Sequence, residues 1–351
     1  MKSLKGPGIF LAQFMDNHAP FDSLENICQW ASALGYKGIQ IPTWEKRLIN
    51  LELAAESTAY CHELQAKAKA YGLEITELST HLQGQLIAVH PTYDQQFDAF
   101  APVEVATNPT ARQAWATQQL KYAAKASRNL GLTAHVTFSG SLLWPFMYPW
   151  PQRPEGIVEL GFGELAKRWL PILNDFHDHG VAVCYELHPN EDLHDGVSFE
   201  AFLEATRQHP AACINYDPSH LLLQQMDYAG FIDVYHERIK AFHVKDAEFN
   251  PSARQGVYGG FQGWINRAGR FRSLGDGQVD FKKIFSALAQ HNYDGWAVLE
   301  WECCIKSAQQ GAAEGAPFIQ RHMIDVAQKS FDDFAGQASD DVTNRKLLGL
   351  T

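Results

Sequence analysis

Strand-like and helix-like segments take turns along the whole chain, and this alternation limits the folds open to it more than any other feature. Extended runs read at 8–14, 37–42, 73–82, 133–139 and 181–187, and three more begin at Ala212, Ile239 and Trp296. Helical patterns read at 23–34, 51–71, 111–130, 162–179, 227–237, 281–291 and 314–333. Leu24, Ile27, Trp30 and Ala31 share one face of the first helix, and Gly35, Gly72 and Gly131 close the first three. The eight extended runs alternate with these helical patterns. Such alternation predicts a parallel sheet, because a crossover helix returns the chain to the same end of the next strand. Eight units predict an α/β fold closed into a (β/α)8 TIM barrel. An open doubly wound sheet is the rival. The turn after the first strand, Phe14-Met-Asp-Asn-His-Ala-Pro20, opposes it, since it holds no GxGxxG or GK[ST] phosphate-binding pattern.

A hydrophobic content of 46% over 351 residues is enough to bury one substantial core. The expected organisation is one barrel domain over 1–335, with long loops on its C-terminal face, and a tail over 336–351 that carries Leu-Leu-Gly-Leu at 347–350. A net charge of −11, with no dense Lys/Arg run to offset it, opposes nucleic acid as a partner. None of the six cysteines forms a CxxC pair, and several sit inside apolar runs as small hydrophobes. That usage predicts a reduced, cytoplasmic home. Gln13 and Asp16 break the N-terminal apolar stretch too early for a signal peptide. No segment approaches the roughly 18 continuous apolar residues of a membrane span.

Four runs in the second half each end in a metal-ligand side chain: Val181-Ala-Val-Cys-Tyr-Glu186, Ala212-Cys-Ile-Asn-Tyr-Asp217, Ile239-Lys-Ala-Phe-His243 and Trp296-Ala-Val-Leu-Glu300. Two glutamates, an aspartate and a histidine make a hard, oxygen-rich set suited to Mn²⁺, Mg²⁺ or another divalent ion. In a barrel, the C-terminal ends of parallel strands bring such groups to one point. Stretches 83–110, 140–159 and 247–280 are too long for turns and belong on that face. The second carries Trp144-Pro-Phe-Met-Tyr-Pro-Trp-Pro151, which reads as a rigid wall over the site or as a subunit contact.

The motifs Tyr185-Glu186-Leu-His-Pro189, Tyr216-Asp217-Pro-Ser-His220, Phe242-His243-Val-Lys-Asp246, Leu274-Gly-Asp-Gly277-Gln-Val-Asp-Phe281 and Leu299-Glu300 resemble the sugar-phosphate isomerase/epimerase family. This is the xylose-isomerase-like barrel superfamily, which also holds inosose dehydratases, ketose 3-epimerases and metal-dependent AP endonucleases. The resemblance implies that Glu186, Asp217, His243 and Glu300 bind one ion, usually Mn²⁺, with Mg²⁺, Co²⁺ or Zn²⁺ as alternatives. It implies a small carbohydrate substrate and an isomerase or epimerase working through a metal-stabilised cis-enediolate. Glu186 and Glu300 would then act as acid and base on opposite faces of the substrate. A dehydratase or lyase acting on a keto-sugar or inosose is the alternative, and an AP-endonuclease-like phosphodiesterase a distant one, opposed by the net charge.

The resemblance also implies that His220 hydrogen-bonds a substrate oxygen, and it offers Asp192 as a substrate carboxylate, with Glu191 and His194 competing for that place. His188, two residues after Glu186, is expected to orient a ligand or the sugar. Lys245 and Asp246 follow His243, with Lys245 a candidate substrate contact and Asp246 a candidate supporting or structural residue, and Arg272 competes with Arg254 and Arg270 to hold a hydroxyl or phosphate. His81 and His135 end the third and fourth runs and are expected to face the cavity. Trp144, Trp264 and Trp301 are candidates to stack on a sugar ring. Glu302, out of phase with Glu300, is expected to point away from the barrel axis. A homo-oligomer is an expectation for such barrels, with no membrane partner.

Overall fold

Short β-branched and aromatic runs leave their backbone polar groups unpaired until they lie beside another strand. The computed structural model describes residues 3–259, 261–327 and 339–350. In chain order its strands are β1 (Lys5–Phe10), β2 (Gly38–Pro42), β3 (Glu74–Ser79), β4 (Ala134–Thr137), β5 (Ala182–Glu186), β6 (Ala212–Tyr216), β7 (Ile239–Val244), β8 (Asp246–Phe249), β9 (Gly269–Arg272) and β10 (Trp296–Leu299). All but β8 and β9 are parallel and close edge to edge into a barrel in which β10 sits between β7 and β1. The chain is a single-domain (β/α)8 barrel. β8 and β9 form a separate antiparallel hairpin inside the long stretch 247–280 predicted for the C-terminal face.

Side chains alternate across each strand, and the two faces meet different partners. Outward residues pack on the helical ring: Tyr185 lies 4.8 Å from Trp169 and 5.3 Å from Phe202, and Phe242 lies 5.6 Å from Phe285, ring centre to ring centre. Each such fully buried aromatic stabilises the fold by about 1.5–3 kcal/mol. The inward positions nearer the strand starts are small, with Ala134, Val136, Cys184, Cys213 and Ala241 in one cluster. β3 carries an irregularity: Ile39 opposes Ile75, but Ile41 opposes Leu78. The residue gained there turns Glu77 inward, where it accepts from Gln40.

Several boundaries differ from the sequence pattern. The long helix over 51–71 is two helices, Leu51–Glu56 and Thr58–Ala70, because Ser57 accepts from Tyr60 N and starts a new N-terminus. The pattern at 162–179 corresponds to helix Ile157–Asp178, which precedes β5, and the helix that comes after β5 is Gly196–Ala205, started by a capping box on Asp195 and Ser198. The last barrel helix begins earlier than the pattern suggests, running Ala308–His322, and 328–333 of that pattern lie outside the described residues. The tail holds a short exposed helix, Asp341–Leu347. Among the described residues no helix is long and apolar enough to cross a membrane, and all six cysteines are free.

The third run also ends sooner than its apolar pattern. β3 stops at Ser79, and His81 opens a short helix, His81–Gln85. That helix rests directly on the end of β4: a Cβ built on Gly84 would lie 2.0 Å from Thr137 Oγ1 and 2.4 Å from the Phe138 carbonyl. Gly84 therefore sets how closely His81 approaches the barrel mouth. Gly84→Ala is expected to destabilise the protein by about 1–3 kcal/mol through overpacking, read as a lower urea midpoint at unchanged m. A wild-type midpoint would show that the helix does not depend on this close approach.

Candidate active site

The inward row of each strand turns polar where the strand ends. Glu186 is the last residue of β5, Asp217 and Glu300 come directly after β6 and β10, and His243 lies one residue before the end of β7. One ligand atom from each of the four lies within 4.8 Å of the others, and all four side chains are buried. His243 Nδ1 sits 2.9 Å from Glu300 Oε2 and 3.0 Å from Glu186 Oε2. Asp217 caps helix Pro218–Leu223 with Oδ1, which accepts from Ser219 N at 2.8 Å. Its other oxygen, Oδ2, is buried without a hydrogen-bond partner, although His220 Nε2 approaches to 3.2 Å. An orphaned carboxylate oxygen aimed at a nitrogen and two further carboxylates is what a divalent cation needs, so this donor set fits one.

The surroundings orient every member. Glu186 Oε2 accepts from Asn215 Nδ2 at 2.9 Å and lies 3.0 Å from His81 Nε2, while Oε1 lies 3.0 Å from His220 Nε2. Glu300 Oε1 accepts from Gln13 Nε2 at 3.2 Å, and Oε2 accepts from Lys245 Nζ at 3.3 Å. Lys245 is buried, with Glu302 Oε2 at 3.1 Å and the Phe271 ring centre at 4.4 Å. Phe10 stacks 5.7 Å from His243, and Phe138 meets His81 edge-on at 4.5 Å. These rings keep water from the charges they border, which strengthens every electrostatic contact inside.

Three carboxylates held this close must be balanced. Burial opposes ionisation of Glu186, yet hydrogen bonds from His220, His243 and His81 win and hold its carboxyl well below the usual carboxylate range. Burial and the neighbouring Glu186 push Glu300 up, but Lys245 and His243 bring it down to about 2. Burial disfavours charge on His220, but Asp217 raises it to about 9, and Glu300 and Glu186 likewise raise His243 to about 10. Protonated His220, protonated His243 and Lys245 thus face Glu186, Asp217 and Glu300. His188 differs. Burial and the charge of His220 lower it to about 3, so it stays neutral with its ring 4.1 Å from that of His220.

A family model described as xylose isomerase-like TIM barrel matches residues 28–322. The chain belongs to that family. Its curated relatives include inosose dehydratase of Bacillus licheniformis, 25% identical over 180 residues that cover 50% of this chain and 55% of that protein. Inosose dehydratase of Bacillus velezensis is 33% identical over 152 residues, 43% of this chain and 51% of that protein. The chain therefore spans about half the length of the curated relatives it matches. The solved structure of an L-ribulose 3-epimerase superposes with a TM-score of 0.59 at 15% identity, covering 92% of this chain and 94% of that one. At that identity the likeness shows the shared fold.

Within this xylose isomerase-like barrel, Glu186, Asp217, His243, Glu300, His220, His188, Lys245 and His81 gather at the mouth. His135 does not. It is the second residue of β4, its ring lies 5.0 Å from Phe176 in the helical ring, and its Nε2 bonds Thr80 Oγ1 at 2.7 Å. The expectation that it faces the cavity is corrected: in β4 the inward positions belong to Ala134 and Val136. Asp192 accepts from Leu142 N, Leu143 N and Ser141 Oγ at 2.7–2.8 Å, and so braces the loop that carries Trp144. Trp144 lies edge-on to His194 at 5.3 Å in that wall. Arg272 bonds Glu248 Oε1 at 2.8 Å on the side of β9 opposite Phe271. Glu302 is corrected as well. Strand geometry ends at Leu299, so alternation no longer governs it, and it reaches Lys245.

Gln13, Gln40, Asn215 and Phe10 escaped the sequence reading. Asn215 had a usable signal, since it lies two residues before Asp217 and shares its inward side. Gln40 is the polar residue inside the apolar run Gly38-Ile-Gln-Ile-Pro42, a weaker signal of the same kind. Because His135 serves the layer between strands and helices, His135→Leu is expected to cost about 1–3 kcal/mol of stability by stranding buried hydroxyls while the folded variant titrates metal as wild type does. Unchanged stability with a raised KM would instead show that its side chain reaches substrate.

Proposed function

We propose that the protein is a divalent-metal-dependent carbohydrate enzyme that moves a proton on the carbon beside the carbonyl of a sugar, keto-sugar or cyclic polyol, with isomerisation or epimerisation as the outcome. The observation that carries this reading is the pair Glu186 and Glu300, both buried, both held ionised, and both bonded to His243 Nδ1. An Mn²⁺, Mg²⁺, Co²⁺ or Zn²⁺ ion held by Glu186, Asp217, His243 and Glu300 would supply Lewis-acid polarisation of a substrate carbonyl and its neighbouring hydroxyl.

The chain's own residues do the rest. One glutamate takes the carbon-bound proton, and it or its partner returns it to the same or the adjacent carbon. Asn215, His81 and His220 hold Glu186 in place, and Gln13 and Lys245 hold Glu300, so neither carboxylate must reorient during the transfer. His220 and Lys245 bring positive charge to the point where negative charge develops on a substrate oxygen. Phe10, Phe138 and Phe271 border these groups and exclude water.

Elimination of water is a second reading with its own support. His188 is neutral and half-buried beside His220, and its Nδ1 bonds the Pro189 carbonyl, which leaves Nε2 to exchange a proton with a substrate hydroxyl. The curated relatives above are named inosose dehydratases. Both readings begin with proton removal; one then returns the proton to carbon, and the other expels a hydroxyl as water. Incubation of the metal-reconstituted protein with keto-sugars, aldoses and inososes in D₂O, with NMR as the readout, is expected to show deuterium on a carbon next to a carbonyl. Glu186→Gln and Glu300→Gln are each expected to lose this exchange by at least about 10²-fold, and His188→Ala to keep metal binding. A new ultraviolet band from an unsaturated ketone selects elimination. Absence of both exchange and elimination across the panel would sink the proposal.

A further inference from the structure

His243 has two ring nitrogens, and only one of them faces the carboxylates. Its Nε2 lies 3.0 Å from Gln40 Oε1, on the side away from Glu186 and Glu300. Gln40 is fully buried on β2, across the barrel from β7, with no backbone connection that would align the two. An amide can present either its oxygen or its nitrogen, and here the choice is forced from behind. Gln40 Nε2 donates to Glu77 Oε2 at 3.4 Å, and Glu77 is buried at the irregularity in β3. The carboxyl takes the amide nitrogen, so the amide oxygen is left for the imidazole. An oxygen at Nε2 keeps a hydrogen there, and the neutral ring then has its lone pair on Nδ1, the atom 2.9 Å from Glu300 and 3.0 Å from Glu186. Phe10 stacks on the ring and opposes its rotation about the Cβ bond.

We infer that Gln40, oriented by Glu77, is a positioning residue that fixes His243 as an Nδ1 ligand and keeps its Nδ1 turned toward the other three candidate ligands. The inference rests on the metal-dependent reading above. A partner behind a metal-bound imidazole sets both its tautomer and its donor strength, and losing it commonly weakens metal affinity by about 10–100-fold. The amide has a particular advantage at this place. It accepts from Nε2 without adding a further negative charge beside Glu77 and a cluster that already holds three carboxylates.

The test uses the full chain, Co²⁺ and Zn²⁺ as probes, and Gln40→Leu and Gln40→Glu as variants. In Zn²⁺-loaded wild type with ¹⁵N-labelled histidine, His243 is expected to show a slowly exchanging proton on Nε2 and a metal-shifted Nδ1. Gln40→Leu is expected to bind Co²⁺ about 10–100-fold more weakly and to shift the visible Co²⁺ absorption bands. Gln40→Glu, which keeps an acceptor for Nε2 but sets a carboxyl against that of Glu77, is expected to bind Co²⁺ more tightly than Gln40→Leu and to return the bands toward their wild-type positions. Wild-type affinity and bands in Gln40→Leu overturn the inference, and so does a wild-type spectrum with the proton on Nδ1, a result that requires no variant to fold. Wild type that binds neither ion overturns the underlying metal reading instead, which keeps the two failures distinct.

Discussion

Three carboxylates buried beside a single imidazole nitrogen are the constraint on which the rest of this structure turns. An unpaired ion taken from water into a protein interior costs several kcal/mol, and removing one partner of a buried pair typically costs about 3–5 kcal/mol. Glu186 and Glu300 stay ionised because His220, His243 and Lys245 face them, and His220 also approaches Asp217. A cluster in this state suits exchange of protons for a cation: a divalent ion at Nδ1 of His243 would replace positive charge that protons now supply. The same tension explains why so many neighbours are amides. Gln13, Gln40 and Asn215 bind and orient the charged groups without adding charge.

The barrel makes this concentration of charge possible. Parallel strands deliver their ends to one rim, and alternation gives each an inward side chain there while the outward ones pack on helices. Residues two apart at a strand end then act together: Asn215 bonds Glu186 while Asp217 joins the candidate ligand set, and His243 joins it while Lys245 bonds Glu300. The aromatic residues obey the same division. Tyr185, Tyr216 and Phe242 face the helical ring, whereas Phe10 faces the ligands and shields them.

Much of this was legible in the residues themselves. Strand–helix alternation carried the barrel, and the four runs ending in Glu186, Asp217, His243 and Glu300 carried the candidate ligand set, because strand ends in a parallel barrel share a direction. What escaped depended on contacts distant in sequence or on local departures from regular strands. His135 looked like a cavity residue because it was placed at the end of the fourth run, yet it is the second residue of β4 and its parity turns it outward. Glu302 looked like an outward residue because alternation was carried past Leu299, where the strand ends. Gln40 and Glu77 meet across β2 and β3 through an irregular register that no spacing in the sequence announces. The hydrogen bonds of Asp192 likewise reach a loop about fifty residues upstream, a contact that no local spacing announces.

The central claim is that four strand ends form one metal centre with His243 bound through Nδ1. Anomalous X-ray scattering from crystals of the Mn²⁺-loaded protein measures this directly. One peak is expected, bonded to Nδ1 of His243 and to an oxygen each of Glu186, Asp217 and Glu300, with Asp217 Oδ2 as its contributed atom. A peak elsewhere, or one at the cluster that leaves Asp217 Oδ2 or His243 Nδ1 unbonded, would contradict the account.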